Sequence, residues 1–242
     1  YWYFVFYVAY LLTSAFVLLA WIYSPIISLC VFFLVASFHF GYEDLEMFFS
    51  QNFILETPLY FLRGLIIISA PLYLNNVETV NFINILLLGE QWINLETAIY
   101  SYIFYFNLVL IFFLTLLFWI RKNINLKDFF IISFEVLSIV IIFKYLPLIL
   151  AFTMYFCFMH STKHILSLAV ELNDSNVYAG IKSFAKKAAP LTVITFAMSL
   201  IMLFYLSKEF SVDKSILKII FIGLAALTLP HIILEYIYGK YK

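Results

Sequence analysis

Eight apolar stretches, at residues 1–21, 25–42, 58–74, 98–120, 128–145, 147–170, 190–207 and 215–237, take up most of this 242-residue chain. Most come close to the ~20 residues that a helix needs to cross a bilayer. The expected fold is therefore all-α: a polytopic integral membrane helix bundle of about eight transmembrane helices. Seven is the fallback, because 58–74 is short and carries Arg63 and Pro71, and the apolar stretch around 80–89 reads as an interfacial or re-entrant piece. Pro25, Pro58 and Pro147 open their segments, where a missing N–H is harmless. Pro230 lies deep in the last run, where it should kink the helix and leave a carbonyl near 226 unpaired, beside His231.

Composition narrows the class further. Hydrophobic residues make up 65% of the chain and charged residues 12%, about half the charged share of a soluble domain, and mean hydropathy is +1.04. Net charge is zero, with no basic cluster and no Gly-rich phosphate loop, so neither nucleic acid nor nucleotide is an expected partner. Cys30 and Cys157 lie in apolar runs without a CxxC partner and imply no disulfide framework. The 29 Phe and 18 Tyr suit lipid-facing and interfacial surface, and would equally suit an aromatic-walled tunnel for a long apolar ligand. Residues 1–242 read as a single transmembrane domain. Tyr1 already sits inside an apolar segment without a charged n-region or cleavage site, which reads as a missing natural start and not as a signal peptide.

Lys and Arg in short connections set the orientation. Arg121, Lys122 and Lys127, then Lys182, Lys186 and Lys187, then Lys240 and Lys242 fall on one side of an eight-span arrangement, which is the expected cytoplasmic side. The 43–57 loop, with Glu43, Asp44, Glu46 and Glu56, is acidic on that same side, and Lys208, Lys214 and Lys218 face out.

All four histidines, His39, His160, His164 and His231, occur in or at the ends of these runs. An ionisable residue inside a membrane is a functional candidate by default; the bland alternative is a polar side chain that hydrogen-bonds within the bundle. His160-x-x-x-His164 puts two imidazoles on one helix face, about 40° apart. Counted from the outer ends near 25, 147 and 215, a rise of 1.5 Å per residue places His39 about 21 Å deep, His160 about 20 Å, His164 about 26 Å and His231 about 24 Å. One level in the ~30 Å core would thus hold all four.

Imidazole ligation suits Zn, Cu, Fe or Ni, and redox iron is the useful choice in a membrane. Neutral imidazoles bring no charge to offset a dication, so carboxylates are expected behind them, accepting the second ring N–H. Asp44, at the end of the His39 helix, is the first candidate, with Glu43 able to take its place. Glu135 and Glu235 follow, Glu235 reading equally as a headgroup-level charge. Cys157, three residues before His160 and on its face, is more often a small hydrophobe than a ligand.

Four blocks carry a family resemblance: Ser37-Phe38-His39-Phe40-Gly41-x-x-Asp44; Leu62-Arg63-Gly64 leading to Ala70-Pro71; Leu146-Pro147-Leu148 through Phe152-x-x-Tyr155-Phe156-Cys157-Phe158-x-His160-Ser161-x-Lys163-His164; and Thr228-Leu229-Pro230-His231. In this order, from about residue 35 to 236, they resemble the Brp/Blh family of bacterial and archaeal membrane β-carotene 15,15′-dioxygenases. The resemblance implies cleavage of the central double bond of β-carotene by O2 into two retinals, a histidine-bound non-haem Fe(II), a multi-pass location in the bacterial or archaeal cell membrane, and hand-over of retinal to a rhodopsin. It also implies that His39, His160 and His164 are iron ligands. Family members carry a further PHGxxD motif upstream of the HFGxxD block, which this sequence lacks; either a histidine before Tyr1 or His231 completes the set. Lys163 stands where the family usually has Arg, keeping the charge and losing the planar fork.

Physical chemistry suits that reading. An intramembrane site entered from lipid spares an apolar polyene a large desolvation barrier, and inward-facing Phe and Tyr would hold one double bond over the metal. Competing classes are a membrane diiron desaturase, which needs many more histidines, a haem-binding electron carrier, and a metal or proton transporter using an intramembrane His/Glu relay. No internal repeat supports the inverted-repeat transporter design.

Overall fold

The computed structural model describes residues 2–49, 53–92 and 96–239, and among them the regular structure is helical, with no strand. The helices are α1 (Trp2–Tyr23), α2 (Pro25–Leu45), α3 (Phe53–Leu74), α4 (Asn76–Leu86), α5 (Thr97–Ile120), α6 (Leu126–Tyr145), α7 (Leu148–Thr153), α8 (Thr162–Leu172), α9 (Val177–Leu206) and α10 (Val212–Gly239). A 3₁₀ turn, Glu46–Phe48, follows α2, and a π-helical segment, Met154–Ser161, joins α7 to α8. Among the described residues, five stretches are long and apolar enough to cross a membrane: Pro25–Phe48, Leu55–Leu74, Thr97–Ile120, Val177–Leu206 and Val212–Ile233. The first apolar run forms α1, 22 residues long. The other two runs are helical but interrupted in character: α6 carries Lys127, Asp128, Glu135 and Lys144, and 147–170 is divided by the π segment.

Helix ends depart from the sequence reading in ways that matter. Pro25 does open α2, and Pro147 caps α7, but Pro58 lies inside α3, as Pro71 does. Pro230 likewise lies within α10, which continues to Gly239. Glu43 and Asp44 belong to the last turn of α2 and not to a loop, because the helix runs on to Leu45. Lys182, Lys186 and Lys187 are residues of α9, not of a connection, since that helix begins at Val177 and also takes in Pro190. The stretch around 80–89 forms α4 and the turn after it. Lys240 and Lys242 lie outside the described residues, as does the side chain of Glu235.

The chain divides into two compact units, each assembled from separate pieces of sequence. The first holds Tyr1–Ala36, Val77–Asn94 and Ile201–Lys242. Within it the Tyr10 hydroxyl donates to the Leu227 carbonyl at 2.9 Å, tying α1 to α10, and the Trp21 indole N–H donates to the Leu86 carbonyl at 2.9 Å, tying α1 to α4. Phe82 and Phe221 meet edge to face at 4.5 Å between α4 and α10. His231 belongs to this unit and is half-buried.

The second unit, Ser37–Asn76 and Leu95–Leu200, is built around α3. Ile66 and Ala70 of α3 are fully buried with Phe104 and Ile111 of α5 and Ile132 and Ile139 of α6. Asn107 of α5 lies 3.3 Å from the Ser69 hydroxyl, a buried polar pair that gives each group a partner where lipid offers none. Large apolar side chains on the outer faces, such as Phe106, Phe113, Phe134 and Phe196, are exposed, as lipid-facing surface requires.

Candidate active site

The site of the second unit rests on a backbone contact. At Gly41 of α2 an added Cβ would lie 1.7 Å from the Tyr60 carbonyl oxygen of α3, and at Gly64 of α3 it would lie 1.7 Å from the Ser37 carbonyl oxygen of α2. Small residues permit this approach, as in other membrane helix pairs. The glycines of the HFG and RG blocks are therefore the two halves of one helix crossing. It brings Arg63, which is wholly buried, to Asp44, which is 1% exposed, with Nη2 3.0 Å from Oδ2.

Asp44 is the hub. Its Oδ2 also accepts from the Tyr155 hydroxyl at 3.0 Å, and its Oδ1 lies 3.4 Å from His160 Nδ1. The preceding residue makes the parallel contact: Glu43 Oε2 is 2.8 Å from His164 Nδ1. Two consecutive carboxylates of α2 thus meet two imidazoles set four residues apart, each through the same ring nitrogen. Such a partner fixes the tautomer with the proton on Nδ1 and leaves Nε2 as the lone-pair donor. His39 joins this layer, its ring centroid 5.8 Å from that of His160.

The π segment accounts for what surrounds His160. Its wider turn makes residues four and five apart neighbours, and Phe156 and Tyr155 lie nearly parallel to the His160 ring at 5.9 and 6.1 Å. Phe40 closes the remaining side edge-on at 4.7 Å. The Thr162 hydroxyl donates to the Cys157 carbonyl, five residues back, at 3.0 Å. Cys157 itself is exposed, so it does not share the face of His160 as an α-helical count predicts. Insertions of this kind are frequent at functional sites.

Glu135, the further carboxylate candidate, lies beside Arg63. Its carboxylate meets two cations, Arg63 Nη2 at 3.5 Å and the Lys163 ammonium through its other oxygen. Sequence alone assigns no role to Arg63, Tyr155 or Lys163. A signal existed for Arg63: a guanidinium inside an apolar span demands a partner. None existed for Tyr155, one aromatic among many.

A metal can be tested against these groups by their chemistry. With neutral imidazoles, Glu43, Asp44 and Glu135 outnumber Arg63 and Lys163 by one negative charge, which a buried cation would offset. Two imidazoles on one first-row metal have centroids up to ~6.4 Å apart, given metal–nitrogen bonds of about 2.1 Å, and the 5.8 Å between His39 and His160 falls inside that limit. Among the described residues no three His, Cys, Asp or Glu side chains converge at ligand spacing. The donor set fits an imidazole-bound cation, with the His39–His160 pair as its nearest donors and His164 one helical turn further on.

Fold and site together define a helical membrane protein with a buried imidazole–carboxylate layer. The sequence model of the family described as Beta-carotene 15,15′-dioxygenase matches residues 1–238, and the chain belongs to that family of enzymes. It is similar to a Beta-carotene 15,15′-dioxygenase from uncultured marine bacterium 66A03, 28% identical over 230 residues that cover 93% of this chain and 77% of the relative. No solved structure matches it.

Proposed function

We propose that this protein cleaves the central 15,15′ double bond of β-carotene with O2, giving two molecules of all-trans-retinal inside the membrane. The observation that carries the reading is the pairing of His160 and His164, through Nδ1, with Asp44 and Glu43 in a chain of this family. His39, His160 and His164 would hold ferrous iron by their remaining ring nitrogens, with Asp44 and Glu43 fixing the last two rings. Iron bound there supplies an open coordination position for O2 and a one-electron redox couple. Arg63 and Tyr155 hold the Asp44 carboxylate in place, so that Asp44 accepts from His160. Glu135 fulfils the same office for the two cations. Phe40 and Phe156 wall the His160 ring with apolar surface, which excludes water and suits a polyene.

The test is chromatography of pigments from β-carotene-producing cells that express the protein. Retinal should appear as β-carotene falls, and both changes should be absent with an empty vector. Unchanged pigment from correctly inserted protein overturns the reading. A Soret band in the purified protein would favour a haem carrier, and metal or proton flux into vesicles without retinal a transporter.

A further inference from the structure

A second polar site lies in the first unit. A cavity of about 400 Å³ is lined by Asn81 and Asn84 of α4, Gly89 of the following turn, Phe210, and Lys214 and Lys218 of α10. Lys214 and Lys218 are four residues apart and share one helix face; Asn81 and Asn84, three apart, share another. Lys218 is only 4% exposed, with its ammonium 3.3 Å from the centroid of the Phe210 ring. Glu209 and Asp213 are close in sequence, yet among the described residues neither lysine forms an ion pair. The Asn84 carbonyl oxygen accepts from the Trp92 backbone N–H at 2.8 Å, which leaves its amide hydrogens to donate elsewhere. Two ammonium groups and two amides thus line one cavity, and Glu209 acts on Lys218 only from beyond ion-pair distance.

We propose that this cavity binds the phosphate of an anionic phospholipid headgroup. A phosphate diester offers the oxygens that lysine ammoniums and amide N–H groups recognise. Lipid is favoured as the source because both lysines lie in the first two turns of α10, whose stretch Val212–Ile233 is long and apolar enough to cross a membrane. That is the level at which such a helix meets headgroups, and at which lysine stems run along apolar surface to a polar head.

The test uses the full chain, purified and delipidated. Native mass spectrometry with added phosphatidylglycerol should show one retained lipid per chain, and thermal melting should shift upward. Phosphatidylcholine at the same concentration should give at most a tenth of the retention. Lys214→Gln with Lys218→Met should abolish it, whereas Lys208→Gln, outside the cavity, should not. If the double variant does not fold, Asn81→Asp at the exposed rim serves instead and should lower retention at least tenfold. Equal retention by the variants, or equal retention of both lipids, overturns the proposal. Inorganic phosphate that stabilises as well as phosphatidylglycerol and displaces it would assign the cavity to a soluble phosphate and overturn the lipid assignment.

Discussion

Gly41 and Gly64 face each other's helices so closely that neither position can hold a methyl group without moving backbone: each Cβ would sit 1.7 Å from a carbonyl oxygen of the opposite helix. Asp44 lies one turn beyond Gly41, and Arg63 is the residue before Gly64, so the same crossing that excludes a side chain sets the ion pair at the centre of the site.

Gly41→Ala and Gly64→Ala should therefore each destabilise the protein by about 1–3 kcal/mol, the range for overpacking a closed contact, or more because the obstacle is backbone. Gly223→Ala is the control, since a Cβ there meets nothing within 4 Å, and alanine is favoured over glycine in a helix by ~0.5–1 kcal/mol. Thermal unfolding followed by fluorescence size-exclusion should show the first two falling and Gly223→Ala unchanged or raised. No loss in either of the first two would mean that the helices separate at little cost.

Arg63→Met should cost ~3–5 kcal/mol, because it leaves the Asp44 carboxylate buried without its cation. Pairing it with Asp44→Asn should return a large part of that loss, as the second change removes the orphaned charge. A double-mutant cycle on thermal unfolding measures the coupling; additive losses would show that the two side chains act independently.

Glu43→Gln and Asp44→Asn should lower iron occupancy without abolishing it, by the 10–100-fold in affinity typical of groups that orient a metal-bound imidazole. Metal analysis of protein equilibrated over a range of ferrous concentrations reads this directly. Asp44→Asn should also lower stability through Arg63, whereas Glu43→Gln, which meets His164 and not Arg63, should leave stability nearly unchanged. Wild-type iron affinity in both variants would remove these carboxylates from the proposed site.

His160→Ala and His164→Ala should abolish retinal formation while the protein still inserts in the membrane. His231→Ala should keep its iron and lose only part of its rate, in line with His39, His160 and His164 as the ligands. Retinal yield and iron content, measured together, separate these outcomes. Full activity of either of the first two variants would sink the assignment, and loss of iron in His231→Ala would make that residue a ligand.

Apolar length is a local property of the chain, so the sequence alone determined that the protein is a helical membrane bundle and roughly where its long helices run. The cost of burying an imidazole is local too, which is why His39, His160, His164 and His231 are candidates without any structure. Partnership across the bundle is not local. The Tyr155–Asp44 bond joins residues 111 apart and the Arg63–Glu135 contact residues 72 apart, and only the crossing of α2 on α3 and the packing of α6 and the π segment around it select those pairs. The same holds for Cys157, whose apparent place beside His160 assumed an α-helical turn. The π segment, a change in backbone hydrogen bonding that no apolar pattern records, turned Tyr155 and Phe156 to that ring instead. Helix length follows from the energy of each residue in lipid; which charges meet follows from how closely two backbones can approach, and that was decided by tertiary packing at Gly41 and Gly64.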